Sequence, residues 1–396
     1  MCQANWVSAM YQNKEAETSR MKNGNDCLRV LHVIGSMNLG GAETLIMNLY
    51  RNIDRSKLQF DFVVHTDKKM YYSDEINNMG GIVFCAPSFT GLNINEYKTW
   101  WKNFFQQHME YVIVHGHIGS VAPIYLKIAN NAGRITIAHS HATKGNISLN
   151  ELLFRIMSYP TRNIADYFIG CSVKAGIDRY GMRVAHSSRF SVLKNGIDVD
   201  KFKYSPNVRS ICRDELGIGK ETIVWGHVGR FVPSKNHSEI LKIFANYKKI
   251  NCNSVLLLFG EGPEKEKMRE FAKSLAIADS VKFMGLSNRI NYYLQAMDIF
   301  IFPSIYEGLG ISVVEAQTSG LPCLTSDAIV DEADIGAGLI KRISLSADVS
   351  YWVSVAETML KKTRKDTSQY AINAGYDIKE VAQKLQNYYI EKSSKG

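Results

Sequence analysis

Short, mostly apolar runs, arranged in two successive series, constrain this chain more than any other feature. In the first series the runs are rich in β-branched residues, and they lie at 28–35, 60–66, 111–117, 134–140 and 167–172. In the second series they lie at 222–230, 254–262, 281–285, 298–304 and 321–327. Runs that are apolar throughout are typical of strands buried on both faces, as in a parallel sheet covered by helices. The chain is therefore predicted to be an α/β protein with two doubly wound, Rossmann-like parallel-sheet domains facing a cleft.

The length agrees with this organisation, because 396 residues suffice for about two full-sized domains. Residues 1–27 are polar and lack periodicity, which predicts a disordered tail. The first domain is predicted at 28–200 and the second at 201–375, with a hinge at 192–206, where an Asn-Gly turn and a proline occur. The remaining residues, 376–396, have the apolar spacing of an amphipathic helix.

The composition excludes several classes of protein. Seven cysteines without a Cys-x-x-Cys pair support neither a disulfide framework nor a zinc knuckle. No apolar run approaches the ~20 residues of a membrane-spanning helix and no secretory leader is recognisable, so a cytoplasmic location is expected. The formal net charge of +9 favours an anionic partner. Because the basic residues are dispersed apart from a cluster at 361–365, nucleic acid is not expected, and phosphorylated substrates or an anionic membrane surface remain.

Glycine-rich turns follow the first strand of each series. Gly40 and Gly41 precede an amphipathic helix, where free backbone N–H groups can bind a phosphate or diphosphate. In the second series Gly229 is followed by Arg230 and Lys235, two cations that could lie over the same diphosphate. The alternatives are a tight turn without a ligand and a pair of solvated surface charges.

A third segment carries two carboxylates after the end of a predicted strand. Glu307 lies in a loop with Gly308 and Gly310, and Glu315 lies in the helix that follows. Each carboxylate can accept two hydroxyl hydrogen bonds, so the pair suits a polyhydroxylated ligand. In a purely structural alternative Glu315 faces solvent and Glu307 brackets a turn, but the flanking glycines are then unexplained.

Taken together, these motifs resemble those of the retaining glycosyltransferases of family 4, which have the GT-B fold and include capsular and exopolysaccharide enzymes. The resemblance runs from about Leu28 to the end of the chain. It rests on five segments in the family's order and spacing: Gly40-Gly41-Ala42-Glu43, His139-Ser140-His141, Gly229-Arg230 with Lys235-Asn236, Gly260-Glu261-Gly262-Pro263, and Glu307 with Glu315 eight positions later.

The resemblance implies a role in binding and activating a nucleotide-sugar donor for each of these positions. Arg230 and Lys235 are expected to bind the donor's diphosphate. Glu307 is expected to hold the donor sugar, Glu315 the ribose hydroxyls, and His139 is expected beside the reacting sugar. The further donor-binding positions that the resemblance implies, including a backbone contact to the base near Met284, are Gly40, Gly41, Glu261, Met284, Gly308, Leu309 and Gly310.

The same resemblance implies the reaction. A hexosyl group would move, with retention of anomeric configuration, from a nucleotide-diphosphate sugar to a saccharide or lipid-linked saccharide acceptor in surface polysaccharide synthesis. A UDP-sugar is the favoured donor. Departure of the diphosphate develops negative charge that Arg230, Lys235 and helix N-termini can neutralise, so no metal or other cofactor is expected. The C-terminal helix is expected to cross back to the first domain through apolar residues, namely Ile378, Val381, Leu385 and Tyr388 or Tyr389.

Other signals leave alternatives open. Asp198-Val199-Asp200 has the D-x-D form of a metal site but lies in the hinge, so no metal is expected there. One predicted helix carries aromatic residues that could form core or could rest peripherally on anionic lipid at the inner face of the membrane: Trp100, Trp101, Phe104 and Phe105. Two other functions would use the same cleft, those of a GT-B-like sugar-nucleotide epimerase and of a non-catalytic sugar-nucleotide-binding partner.

Overall fold

The first domain contains a seven-stranded parallel sheet. A computed structural model of the chain describes residues 27–141 and 149–394, so the predicted tail lies almost wholly outside the described residues. The strands are β1 (Leu28–Val33), β2 (Leu58–Val64), β3 (Val83–Cys85), β4 (Ile113–Gly116), β5 (Ile135–Ser140), β6 (Tyr167–Gly170) and β7 (Phe190–Val192). Their order in the sheet is β3-β2-β1-β4-β5-β6-β7. The helices between them are α1 (Gly41–Asn52), α2 (Ser73–Asn78), α3 (Ile94–Gln107), α4 (Ala122–Asn131), α5 (Leu149–Ser158), α6 (Thr161–Ile164), α7 (Val173–Tyr180) and α8 (Met182–Ala185).

The second domain contains a six-stranded parallel sheet in the order β10-β9-β8-β11-β12-β13. Its strands are β8 (Ile223–Val228), β9 (Ser254–Phe259), β10 (Val281–Gly285), β11 (Ile299–Phe302), β12 (Cys323–Ser326) and β13 (Ile340–Ile343). The helices of this half are α9 (Val199–Phe202), α10 (Pro206–Glu215), α11 (His237–Ile250), α12 (Lys265–Ser274), α13 (Ile290–Ala296), α14 (Ile311–Thr318), α15 (Val349–Leu360) and α16 (Ser368–Asn373). A final helix, α17 (Ile378–Ser393), follows.

Both sheets confirm the predicted pair of doubly wound α/β domains. Every residue of β2 and of β9 is buried, as expected of central parallel strands with helices on both faces. The sequence analysis missed β3, β7 and β13, which have three or four residues each and lie at sheet edges. β7 and β13 contain polar residues and carry no continuous apolar run, whereas β3 lies in an apolar run at 82–86 that is only five residues long and was overlooked.

In each sheet the strand order reverses beside one central strand. β1 lies between β2 and β4, and β8 lies between β9 and β11. Crossovers from such a strand run in opposite directions and open a crevice at the carboxyl ends, which is where ligands bind in open α/β sheets. The predicted motifs lie at these carboxyl ends, because they follow β1, β5, β8, β9 and β11 along the chain.

Two chain segments run side by side between the domains. The backbone N–H of Ile197 donates to the carbonyl of Tyr376 at 2.8 Å, and that of Ile378 donates to the carbonyl of Ile197 at 2.9 Å. A Cβ atom at Gly196 would lie 2.9 Å from the Cα of Ile378, so this close approach requires glycine. Helix α17 then packs on α1 and joins the core of the first domain through Val381, Leu385 and Tyr389.

The aromatic residues of α3 belong to the core of the first domain. Trp101 is fully buried and stacks on Tyr125 of α4, with ring centroids 5.4 Å apart. Phe104 and Phe105 are also buried, and the partly buried Trp100 stacks on Phe104 at 5.1 Å. The lipid-resting alternative is therefore wrong for Trp101, since exposing it would remove a filled position from the core. Among the described residues, no helix is both long and apolar enough to cross a membrane.

Candidate active site

The loop after β8 presents a cation at the carboxyl edge of the second sheet. Arg230 is exposed and forms no ion pair with any residue in the described part of the chain. The backbone of this loop is fixed by the loop after β9, because the N–H of Phe231 donates to the carbonyl of Glu261 at 3.0 Å. Gly260 and Gly262 have φ values of 136° and 158°, and a Cβ atom at either would collide with carbonyl oxygens of the Arg230 loop. The Gly-Glu-Gly motif therefore positions Arg230 by close backbone packing.

Lys235 and Glu307 form a partly buried ion pair between the loops after β8 and β11. The Lys235 ammonium donates to the Oε2 atom of Glu307, and only 18% and 19% of the two side chains are exposed. The ammonium also lies 4.7 Å from the ring centroid of Phe302. From the sequence the two residues are expected at different parts of the donor, and the structure places them in direct contact. A donor that touches both must therefore rearrange this pair.

The glycine loop after Glu307 leads directly into α14. The N–H of Gly308 donates to Oε1 of Glu307 at 3.3 Å, and Gly310, with φ of 78°, precedes the helix in a left-handed conformation. Leu309 is buried and anchors the loop. Glu315 lies in the second turn of α14 and is partly buried, and burial raises its pKa to about 8. The carboxyl is therefore protonated at neutral pH and can both donate and accept a hydrogen bond.

A β-bulge marks the position at which the sequence predicted the nucleotide base. Met284 has no partner in the ladder, because the residues on either side of it pair with consecutive residues of β9. A bulge leaves the backbone of the extra residue unpaired, as a backbone contact to a base requires. The Glu261 carboxylate is engaged by Lys265, with Oε1 and Nζ 2.6 Å apart.

In the first domain, the turn after β1 is partly covered by its own glutamate. Gly40 is the N-cap of α1, and the exposed Gly41 has nothing within 4 Å of an added Cβ atom. The Glu43 carboxylate folds back over Gly40, the position of a capping-box glutamate, and burial raises its pKa. A phosphate at this helix N-terminus would therefore meet the Glu43 side chain first.

Five imidazoles form a cluster at the carboxyl ends of β1, β4 and β5. Two of them, His139 and His141, belong to a motif recognised in the sequence, and the structure adds His32, His115 and His117. The Nε2 atom of His115 lies 3.2 Å from Nδ1 of His139. The Nδ1 atom of His117 lies 2.8 Å from Nε2 of His141, and its Nε2 lies 2.9 Å from Nδ1 of His32. The missed signal was the repeated His-x-His pattern, since alternate residues of a strand share one face.

The cluster is neutral and is tied to the C-terminal helix. The hydroxyl of Tyr389 lies 2.5 Å from Nδ1 of His115. Burial lowers the pKa of every member, to about 3 for His32 and about 4 for His141, and well below the ordinary value for the others. At neutral pH these rings are uncharged, so they act as hydrogen-bonding groups and potential ligands.

Cys171 lies at the carboxyl end of β6 in the first sheet. The thiol of Cys171 follows β6, and burial, with contributions from the carboxylates of Glu332 and Glu307, raises its pKa to about 11. The thiol is therefore uncharged at neutral pH.

The D-x-D carboxylates of the hinge have structural partners. Asp198 caps α9 and forms an ion pair with Lys201 at 2.9 Å. Asp200 pairs with Lys379 of α17 at 2.7 Å. In the part of the chain that the structure describes, neither aspartate belongs to a group of three potential metal ligands.

Comparison with known proteins places the chain in a family. Residues 208–334 match the family model described as glycosyl transferases group 1. Over 373 residues the chain is 34% identical to EpsF, a putative glycosyltransferase of Bacillus subtilis, and the alignment covers 91% of this chain and 96% of EpsF. The chain belongs to the group 1 glycosyl transferases. It is also 22% identical over 373 residues to CapH, a capsular polysaccharide biosynthesis glycosyltransferase of Staphylococcus aureus, with coverage of 92% and 99%.

A solved structure shows the same fold. HepE of Anabaena, crystallised with UDP, superposes with a TM-score of 0.73 over 92% of this chain and all of HepE, at 18% identity. This similarity confirms the GT-B fold that the sequence predicted. The predicted enzyme class, a glycosyltransferase, is confirmed as well, whereas the roles of the individual site residues stay predictions.

Proposed function

We propose that this glycosyltransferase moves a hexosyl group, with retention of configuration, from a UDP-sugar to a saccharide or lipid-linked saccharide acceptor in surface polysaccharide synthesis. The observation that carries the proposal is the grouping of Arg230, Lys235, Glu307 and Glu315 at the carboxyl ends of β8 and β11. UDP is favoured because HepE, which shares the fold, was crystallised with it. The polymer class is favoured by the name of the relative CapH.

The cations of the second domain suit a leaving diphosphate. Arg230 has no ion-pair partner among the described residues, and Lys235 is held in a site of low exposure, where its charge is weakly screened. Stabilising charge that develops on the leaving group is the main task in breaking a sugar–phosphate bond. As the diphosphate takes Lys235, the Glu307 carboxylate is released to accept hydrogen bonds from the donor sugar. Neither step uses a metal ion.

The ribose and base of the donor would be held by other residues than those that bind the diphosphate. A protonated Glu315 can donate to one ribose hydroxyl and accept from the other, whereas an ionised carboxylate could only accept. The unpaired backbone at Met284 would then contact the base. These contacts do not change during bond cleavage, so they contribute to donor affinity rather than to turnover.

The first domain is assigned to the acceptor. The position of His139 in β5, at the carboxyl edge of the first sheet, supports a sugar held against that edge. Retention follows if the acceptor hydroxyl attacks from the face on which the diphosphate leaves and passes its proton to that phosphate. The acceptor oxygen–sugar bond then forms as the sugar–phosphate bond breaks.

A surface for a lipid-linked acceptor lies on α5 rather than on α3. The exposed fractions of Leu152 and Ile156 are 48% and 63%, and three further large apolar residues of this region are also exposed: Leu153, Met157 and Tyr159. With a net charge of +9, the chain has the electrostatic attraction to anionic lipid that such a helix needs. We assign peripheral contact with an anionic membrane to this face.

A donor screen tests the proposal. The purified chain is incubated with individual nucleotide sugars and a lipid-linked or free saccharide, and product is followed by NMR. We expect transfer from a UDP-sugar, a product with the donor's anomeric configuration, and no rate increase on adding Mg²⁺. An inverted product would contradict the retaining mechanism. Conversion of donor to an epimer without acceptor would instead identify an epimerase.

A further inference from the structure

We propose that His117, His139 and His141 form a binding site for a borderline divalent cation such as Zn²⁺ in the first domain. One ring nitrogen from each residue lies within 4.8 Å of those of the other two. Three imidazoles with one open position are the donor set of a three-histidine zinc site. This inference goes beyond the proposed function, in which Arg230 and Lys235 of the second domain neutralise the diphosphate.

The backbone places these rings together. Gly116 of β4 pairs with Ala138 of β5, so the residues that follow them, His117 just beyond the end of β4 and His139 of β5, are neighbours on one face. His141 lies two residues beyond His139 and returns to that face. The rings of His139 and His141 stack with centroids 4.0 Å apart, and those of His117 and His141 at 5.0 Å. The cluster is thus set by strand register.

Hydrogen bonds from behind the rings leave the appropriate nitrogens available. His139 uses Nδ1 toward His115, which in turn contacts Tyr389, and its Nε2 is buried without a partner among the described residues. His117 uses Nε2 toward His32, at 2.9 Å, which leaves Nδ1. Metal-bound histidines almost always donate their second ring N–H in this way, which fixes the tautomer and directs the other lone pair at the ion.

The remaining contact can admit an ion with little movement. Nδ1 of His117 and Nε2 of His141 are 2.8 Å apart, a hydrogen-bond distance. Two nitrogens bound to tetrahedral Zn²⁺ at 2.0–2.1 Å are about 3.3 Å apart, so the two rings need to separate by roughly half an ångström. An ion would then replace the shared proton, which moves to Nδ1 of His141, a ring nitrogen that is buried without a partner among the described residues. Nitrogen donors select Zn²⁺, Co²⁺ or similar ions over Mg²⁺ and Ca²⁺, which require oxygen ligands.

Access distinguishes this site from a second possible grouping. His117, His139 and His141 line a cavity of about 180 Å³, which leaves room for water or a substrate oxygen at the fourth position. His32, His115 and His117 also have nitrogens within 4.8 Å of one another. His32, however, packs against Phe60 with ring centroids 4.3 Å apart and does not line this cavity. The metal site is therefore assigned to His117, His139 and His141, which line the cavity.

The test uses the full chain without an affinity tag, stripped with EDTA and desalted, in the absence of donor and acceptor. Co²⁺ is titrated first, with its visible absorption as the readout, and is then displaced by Zn²⁺. We expect one ion per chain and no competition from Mg²⁺. The variant His141→Ala should lose more than about 100-fold in affinity, and His32→Ala, which removes a supporting bond, about 10–100-fold. His186→Ala, at the exposed end of α8, is the matched control and should bind normally.

Uptake of less than one ion per chain by the wild type, or unchanged affinity in His141→Ala, would overturn the inference. If that variant does not fold, X-ray absorption of the Co²⁺-loaded wild type counts the ligands. Three imidazoles support the site, and fewer contradict it. Because no nucleotide sugar is present, these results are independent of the proposed transfer reaction.

Discussion

The raised pKa of Glu315 predicts an unusual pH dependence of stability. Burial raises this pKa from an ordinary 4.5 to about 8, so between these values the native chain binds a proton that the unfolded chain has released. Stability must then fall as pH rises across this window. At about 1.4 kcal/mol for each pKa unit, the loss attributable to Glu315 reaches about 5 kcal/mol once the pH exceeds 8.

Replacement by an amide isolates this contribution. Glu315→Gln keeps the shape of the side chain and cannot ionise. The melting temperature of this variant, measured relative to that of wild type, should therefore rise by on the order of 10 °C as the pH is raised from 4 to 9. Thermal unfolding of both proteins at several pH values measures this difference. Glu357→Gln, on the exposed face of α15, is the matched control and should follow wild type throughout. Parallel curves for wild type and Glu315→Gln would refute a buried, protonated Glu315.

Three further predictions follow from the same structure. Arg230→Ala and Lys235→Ala should each lower kcat/KM by a factor that corresponds to about 2–4 kcal/mol of transition-state stabilisation. In steady-state kinetics the double variant should lose less than the sum of the two, because both cations act on one diphosphate. Near-normal turnover in both single variants would show that these residues do not belong to the donor site. Trp101→Ser should cost about 3–5 kcal/mol of stability in denaturant unfolding, so an unchanged midpoint would contradict its burial. Leu152→Ser combined with Ile156→Ser should instead leave stability unchanged and weaken sedimentation with anionic vesicles, whereas equal sedimentation would exclude α5 as the membrane contact.

The sheets were predictable because their central strands are buried on both faces and therefore read as continuous apolar runs. The edges were not, since a strand such as β13 has only four residues, of which two are charged and only the last is buried. The aromatic spacing of α3 indicated a helix, but spacing alone does not show whether Trp101 meets lipid or Tyr125 of a neighbouring helix.

In the site, single motifs were predictable and contacts between motifs were not. Lys235 and Glu307 are 72 positions apart, and no local pattern shows that their loops meet. The same holds for His115 and Tyr389, which are 274 positions apart. The His-x-His repeats do place two rings on one face of each strand. Whether the pair of rings on β4 lies beside the pair on β5, however, depends on the register between these strands, which is set by packing over the whole sheet.

The central claim is that Arg230 and Lys235 bind the donor's diphosphate. Calorimetric titration of UDP and of uridine into wild type and into Arg230→Ala/Lys235→Ala tests it most directly, since uridine lacks only the diphosphate. We predict that wild type prefers UDP by at least about 100-fold, that the double variant prefers it by less than about 10-fold, and that uridine binds both equally. A double variant that retains the full preference for UDP would contradict the account.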